Sequence, residues 1–367
     1  MRFCEVRLNN FRNLMDGSVG VSSGQVFLVG ENGQGKTNFL EALYLLCYGN
    51  SFRTRNIRDL VRHGCSDMSV GADFIDIHGD KRSIRLSYAD GKKTFCLDGR
   101  EVRDRKEVIY NIPCIVFSYD DINLVRGEPE FRRIFFDQTL CMMDMLYLDD
   151  LRHYKAILKQ RNAAVRESMT GMLDTYDILL ARYGIRIMQA RNEACRIMNL
   201  IFPDLYASIS GDGRRLEMKY RPSWSGASTE EEAIRILAES RERDLKMQFS
   251  TSGVHRDRFV ITDQRGLFQN TGSTGQLRLA SLVLRTAQAA YFRRQMSQDP
   301  VMLIDDVLLE LDSGKRGEFL RQLGSYSQAF FTFLSDEKYF TDNLGVRGGS
   351  LYYTVRGGEL TEDANGF

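Results

Sequence analysis

The sequence is poor in the features that staple a chain or carry it into unusual surroundings. Proline occurs 5 times, histidine 4 times and tryptophan once in 367 residues. No apolar run approaches the roughly 20 residues that a bilayer-crossing helix needs. The opening MRFCEVRLNNFRN has no continuous apolar segment, so it is expected to form a first strand, not a leader. The 7 cysteines, at 4, 47, 65, 96, 114, 141 and 195, are odd in number and contain no Cys-x-x-Cys pair. A disulfide framework and a structural zinc site are therefore not expected, and the expected home is a reducing cytoplasm with no membrane partner. Excess charge is missing too, since 50 Lys+Arg against 49 Asp+Glu leave +1. Bulk charge cannot hold DNA here, so any such contact would need local patches.

With 43% hydrophobic and 27% charged residues, the chain can bury the cores of two or three domains. Val26-Phe27-Leu28-Val29 reads as an apolar strand running into a Gly-rich turn, followed by a helix over 37–48 with Leu40, Leu43 and Tyr44 on one face. Alternating segments between 68 and 118 read as strands, separated by turn signals such as Asp90-Gly91 and Asp98-Gly99. From 130 to 200 there is no proline, and glycine occurs only at 171 and 184. Leu173, Tyr176, Leu180, Tyr183 and Ile187 make a helical stripe, and Leu151, Tyr154 and Leu158 start another. Gly171 lies between them, so an antiparallel helical pair is expected. Strand-like pieces at 205–210 and 214–220 and a helix over 229–247 follow. Phe259-Val260-Ile261 is expected as a strand, 276–295 as a helix, 300–304 and 329–334 as strands, and the tail from Arg356 as frayed. The expected architecture is α/β, assembled from both ends of the chain (1–124 and 248–367) around an inserted, mainly helical lobe (125–247).

Gly30-Glu31-Asn32-Gly33-Gln34-Gly35-Lys36-Thr37 matches the P-loop pattern GxxxxGK[ST] between a strand and a helix. Such a loop wraps phosphate with backbone N–H groups; Lys36 reaches the β/γ oxygens and the Thr37 hydroxyl ligates Mg²⁺. ATP and Mg²⁺ are the ligands this implies. The metal also needs an acid, and Met302-Leu303-Ile304-Asp305-Asp306 ends an apolar strand in two. Asp305 is expected to hold Mg²⁺, and Asp306 to polarise the attacking water. Gly272-Ser273-Thr274-Gly275-Gln276 opens a helix; alone it is an ordinary cap. Paired with a P-loop, Ser273 and the N–H groups of Thr274 and Gly275 would make a second anion clamp, with Gln276 beside it.

Taken together, these motifs resemble the RecF family of the SMC/Rad50-like ABC ATPases across nearly the whole chain. GENGQGKTNFLEALYLLCYGNSFRT is similar to the family's P-loop, helix and Ser-Phe-Arg-Thr, here Ser51, Phe52, Arg53 and Thr54. CIVFSYDDINLVRGEPEFRRIFFD resembles its head-to-lobe junction, SGVHRDRF its Gly-Pro-His-Arg-Asp-Asp stretch, STGQLR its signature, and LIDDVLLELD its Walker B strand and D-loop. Departures are Leu277 for the signature's second Gln, Leu309 for the D-loop Ser, Tyr119-Asp120 for Pro-Glu, Val254 for Pro and Arg258 for the second Asp. An aliphatic Leu309 cannot replace a hydroxyl hydrogen bond. The resemblance implies an ABC-type head with mixed sheets and a homodimer that sandwiches ATP between Lys36 of one copy and Ser273 of another. Slow, DNA-stimulated hydrolysis to ADP and phosphate would involve Asp306, Lys36 and Gln276. It also implies action on double-stranded and gapped DNA, with RecR and RecO as partners and RecA loaded indirectly. Arg53 either contacts ATP or orders its loop; His255 either contacts nucleotide or organises the head.

For DNA, Arg53, Arg55, Arg58 and Arg62 fall within ten residues holding one acid, Asp59, a local charge of +3. Arg103 and Arg105 belong to a second basic group. No recognition helix, zinc finger or stacking module is visible, so the backbone and not base sequence is the expected target. A non-catalytic DNA scaffold and a Rad50-like DNA-end ATPase are the alternatives; the second would need a long coiled arm and a Cys-x-x-Cys hook, both absent.

Overall fold

The computed structural model describes residues 1–104, 106–109, 112–335 and 349–363, without the side chains of 108, 109, 309 and 310. These residues divide into two compact units, Met1–Asp121 with Gln288–Phe367, and Ile122–Ala287.

In the first unit, five strands run parallel: Leu351–Arg356, Gln25–Val29, Gln328–Phe333, Val301–Ile304 and Cys114–Phe117, in that order. The three central strands and Cys114–Phe117 are buried at every position, which is why they read as unbroken apolar runs. A sixth strand, Glu359–Glu362, pairs antiparallel with Leu351–Arg356, so the tail expected to fray is a hairpin through residue 362. A second, antiparallel sheet runs Gly17–Gly20, Arg2–Asn9, Met68–Ile75, Lys81–Ala89, Lys92–Leu97 and Arg100–Glu101. Gln328 ties it to the parallel sheet: its Oε1 accepts from Phe3 N at 2.8 Å and its Nε2 donates to Phe3 O at 3.1 Å.

The helix Lys36–Tyr48 lies between the two sheets, touching Met68–Ile75 and Lys81–Ala89 on one side, Gln328–Phe333 and Cys114–Phe117 on the other. Every residue from Phe39 to Cys47 is therefore buried, not only the single face that Leu40, Leu43 and Tyr44 suggested. A helix covered all round has little amphipathic stripe to read. One of those buried residues is Glu41.

The second unit is built on the antiparallel pair Met145–Arg166 and Leu173–Met198, joined by a short 3₁₀ turn that contains Gly171. The Arg186–Asp150, His153–Tyr183 and Arg161–Asp177 contacts set the antiparallel register, one partner number rising as the other falls. Asp144 caps the first helix, its Oδ1 accepting from Leu146 N at 2.8 Å. The helix Glu230–Met247 starts at a capping box between Thr229 and Glu232.

Two expectations change here. Residues 202–210 form a helix, Phe202–Ser210, because Pro203 sits in its first turn where a missing N–H costs nothing. And Arg258–Asp263 pairs with Glu217–Arg221, so packing places 248–287 with the helical unit and not with the head.

Candidate nucleotide site

The P-loop strand Gln25–Val29 delivers the chain at Gly30 into a loop whose shape is set by glycine. Gly35 has φ 119°, a left-handed geometry that side chains resist, and it leads directly into the helix at Lys36. Other parts of the first unit hold the loop from outside. Asn13 Nδ2 donates to Gly33 O at 3.2 Å, while Gly357 N donates to Gln34 Oε1 at 2.6 Å and Gly358 N to Gln34 O at 2.9 Å. The turn of the tail hairpin is thus a support of the P-loop.

Lys36 is 3% exposed. Its Nζ donates to Gly30 O at 2.6 Å and Glu31 O at 3.2 Å and lies 3.8 Å from Asp306 Oδ2. Glu31 and Asn32 are exposed at the loop's tip. Thr37 Oγ1 donates to Asp305 Oδ1 at 2.8 Å, bringing together two residues 268 positions apart. Strand register accounts for this: Val301–Ile304 runs beside Cys114–Phe117 and Gln328–Phe333, and Asp305 N donates to Phe117 O at 3.0 Å. Burial pushes the Asp305 carboxyl up to about 6, helped by the Asp306 charge and opposed by the bonds from Thr37 and Thr332 and by Arg53.

Asp306 has φ 50°, a left-handed turn that carries the chain out of the strand. Thr332 makes that turn tenable. Its Oγ1 accepts from Asp306 N at 2.8 Å and lies 2.8 Å from Asp306 Oδ1 and 3.2 Å from Asp305 Oδ1. Its sequence signal is a polar side chain that interrupts the apolar run Ala329–Phe333 beside the acid strand.

Thr37 and Asp305 are hard oxygen donors close enough to share one ion, which suits Mg²⁺ completed by phosphate and water. Among the described residues no group of three or more His, Cys, Asp or Glu side chains could cage a metal alone. The ion this site fits is one that arrives with a phosphate.

Arg53 follows the P-loop helix. Its Nη1 donates to Asn38 Oδ1 at 2.7 Å and Glu41 Oε2 at 3.4 Å. Of the other arginines, Arg58 Nε donates to Tyr88 Oη at 3.0 Å, and Arg62 Nη2 donates to Asp16 Oδ1 at 2.6 Å and to the Leu14 carbonyl. Arg62 thus holds a loop of its own unit. Arg55 and Arg103 are exposed, and Arg105 lies outside the described residues.

The Ser273 segment belongs to the second unit. Gln276 N donates to Ser273 Oγ at 3.3 Å and Ser273 N to Gln276 Oε1 at 2.9 Å, a capping box at the start of the helix Thr274–Met296. Gln276 Nε2 also donates to Asp212 Oδ2 at 2.8 Å. Ser273, Thr274 and Gly275 remain exposed. Leu277 is buried, so the aliphatic departure at this position lies in a core. The Leu309 side chain lies outside the described residues.

The SGVHRD run also resolves within the second unit. A Cβ at Gly253 would collide with Tyr154 Oη, and its φ of 135° suits glycine alone. His255 Nε2 donates to Ser250 O at 3.1 Å, which leaves Nδ1 to accept from Tyr154 Oη at 2.8 Å. Burial lowers this imidazole to about 4. Asp257 accepts from Arg191 Nη1 and Ser223 N, each at 2.8 Å, and from Tyr220 Oη. These motif residues hold the helical unit together.

Comparison with known proteins agrees with this arrangement. The family described as RecF/RecN/SMC N terminal domain matches residues 3–343. The DNA replication and repair protein RecF of Treponema pallidum (strain Nichols) is 42% identical over 330 residues, 90% of this chain and 93% of the relative. That of Acetivibrio thermocellus is 32% identical over 95% of this chain and 99% of its own length. A solved structure of the recombination mediator protein RecF-ATPrS in the RecFOR pathway superposes with a TM-score of 0.88 at 26% identity, covering 99% of this chain and 98% of that one. An Smc head domain from Pyrococcus furiosus shares the fold, at a TM-score of 0.58 and 16% identity over 99% of this chain and 96% of that one. Agreement over nearly the full length, in sequence and in backbone alike, makes this chain a member of the RecF family, ATP-binding proteins of DNA replication and repair.

Proposed function

We propose that the chain is an ATP-dependent DNA-binding switch of recombinational gap repair. The observation that carries this reading is the Thr37–Asp305 contact of 2.8 Å with Lys36 beside it, 3.8 Å from Asp306. Lys36 would leave its carbonyl partners for the β/γ oxygens of a triphosphate. Thr37 and Asp305 would hold Mg²⁺, which neutralises phosphate charge. Asp306, fixed by Thr332, would orient the attacking water; it is one methylene shorter than glutamate, consistent with slow hydrolysis.

In this reading a second copy supplies Ser273 and the exposed N–H groups of Thr274 and Gly275, so that ATP completes a homodimer and hydrolysis releases it. Gln276 would then exchange Asp212 for the nucleotide side of that clamp. DNA would be held through backbone phosphates by arginines such as Arg55, Arg58 and Arg103. If six phosphates are neutralised, the logarithm of affinity falls against that of salt with a slope of about −5. RecR and RecO would act with the DNA-bound dimer to help load RecA.

Sedimentation with ATP, with ADP and without nucleotide, each with and without gapped duplex, tests the switch. The expected result is a dimer with ATP that Ser273→Arg abolishes. A chain that stays monomeric with ATP and DNA together overturns it. Single-turnover hydrolysis by Asp306→Ala at the unmodified rate would remove Asp306 from its role.

A further inference from the structure

Glu41 is a carboxylate with 0% exposure, set in the apolar stretch Phe39–Cys47 of a helix between two sheets. Its four acceptor positions are all engaged. Arg12 Nε donates to Oε2 at 2.9 Å and Arg12 Nη2 to Oε1 at 3.0 Å, a two-pronged pairing. Ser51 Oγ donates to Oε1, and Arg53 Nη1 donates to Oε2 at 3.4 Å.

Arg12 alone neutralises this buried charge. Arg53 is therefore a surplus cation at the same anchor, and its surroundings face the phosphate machinery. Its Nη1 also bonds Asn38, the residue after Thr37. The Arg53 side chain remains 41% exposed, so it keeps donors for a further anion. Ser51 Oγ accepts from Arg53 N at 2.8 Å and Thr54 N at 3.1 Å, so the hydroxyl held by Glu41 also shapes the Arg53 backbone.

We propose that Glu41 is a positioning residue that pins Arg53, through both its guanidinium and the Ser51 turn, where it meets an oxygen of the bound triphosphate. This rests on the reading of the P-loop as an ATP site. The two arginines divide the work: Arg12 neutralises the carboxylate, and Arg53 is the cation aimed at the ligand.

The test is equilibrium binding of MgATP to the full chain, with urea midpoints measured alongside. Arg53→Ala is expected to weaken MgATP about tenfold at unchanged stability, as losing one charge-assisted bond does. Glu41→Gln keeps the shape, removes the charge and is expected to weaken MgATP to a similar degree. The double variant is expected to bind within about twofold of Arg53→Ala, because both changes remove one interaction. Arg12→Lys keeps a cation at the carboxylate and is expected to bind within about twofold of the unmodified chain. Should Glu41→Gln fail to fold, Glu41→Asp carries the test: it keeps the charge for Arg12 but draws it back from Arg53 and Ser51, so MgATP is expected to weaken several-fold, and unchanged binding overturns the assignment. Tight binding by Glu41→Gln, losses that multiply to about a hundredfold in the double variant, or a tenfold loss in Arg12→Lys each overturn the assignment. An unmodified chain that binds no MgATP ends the ATP reading itself, a separate outcome.

Discussion

Lys36 in the first unit and Arg191 in the second are both almost wholly buried, 3% and 2% exposed, yet their partners differ in kind. Arg191 is enclosed by carboxylates, with Asp137 and Asp257 each at 2.8 Å and the Val254 carbonyl at 2.7 Å. Arg161 in the same unit is bound by Asp177 and Asp244, each at 2.7 Å. Lys36 has two backbone carbonyls and a carboxylate only at 3.8 Å. A cation held by close carboxylates has little to gain from a ligand, so it fixes shape. A cation held by neutral carbonyls gains a great deal from a triphosphate. The two buried cations of the helical unit are thus locked between carboxylates, whereas Lys36 is held by neutral carbonyls that leave its charge largely uncompensated.

The largest expected effect tests the architectural side. Arg191→Ala strands Asp137 and Asp257, and should cost about 3–5 kcal/mol in urea unfolding. A loss under about 1 kcal/mol would show that the network is dispensable. Next comes pH. The His255 value falls from 6.5 to about 4 on folding, so its stabilising contribution is complete above 6.5 and is lost as pH falls from there towards 4. The full difference is about 3 kcal/mol. Unfolding of the unmodified chain and of His255→Gln at pH 7 and pH 4 should show it as a steeper acid loss in the former; parallel losses would break the assignment.

On the exchange side, Lys36→Ala should weaken MgATP about a hundredfold, or about 2.7 kcal/mol, while moving the urea midpoint little. A midpoint shift as large as that of Arg191→Ala would erase the contrast between the two units. The smallest effect belongs to the signature. Gln276→Ala removes half of the capping box and should cost about 0.5–1 kcal/mol in urea unfolding without ATP. No loss at all would show that the Ser273–Gln276 pair adds nothing to the helix start.

Much of this was legible in the residues. The P-loop, the Asp305-Asp306 strand and the helical pair around Gly171 follow from local spacing, and all stand in the structure. Ser273-Thr274-Gly275-Gln276 was legible both as a cap and as a clamp, and the hydrogen bonds show the cap. Thr332, Asn13 and the 357–358 turn were not legible as site residues. None belongs to a local motif: Asn13 meets Gly33 from 20 positions away, Thr332 meets Asp306 from the neighbouring strand 26 positions on, and Gly357 meets Gln34 across 323. Glu41 was hidden for a related reason: in sequence it is an ordinary polar position on a helix, and only the second sheet closing over that face makes it a buried charge. The piece at 205–210 misled because an apolar run of six does not distinguish strand from helix, and Pro203 decided it by starting a turn.

Short motifs set the chemical inventory: a phosphate loop between strand and helix, two acids at a strand end, and a serine at a helix start. Those are local patterns, written in neighbours a few residues apart. The motifs already pair Thr37 with Asp305; it took the packed fold to show that Thr332 fastens both acids and that Glu41 gathers Arg12 and Arg53. The reason is physical. Parallel strands register through buried apolar packing between distant segments, and no local periodicity records which distant segment that will be.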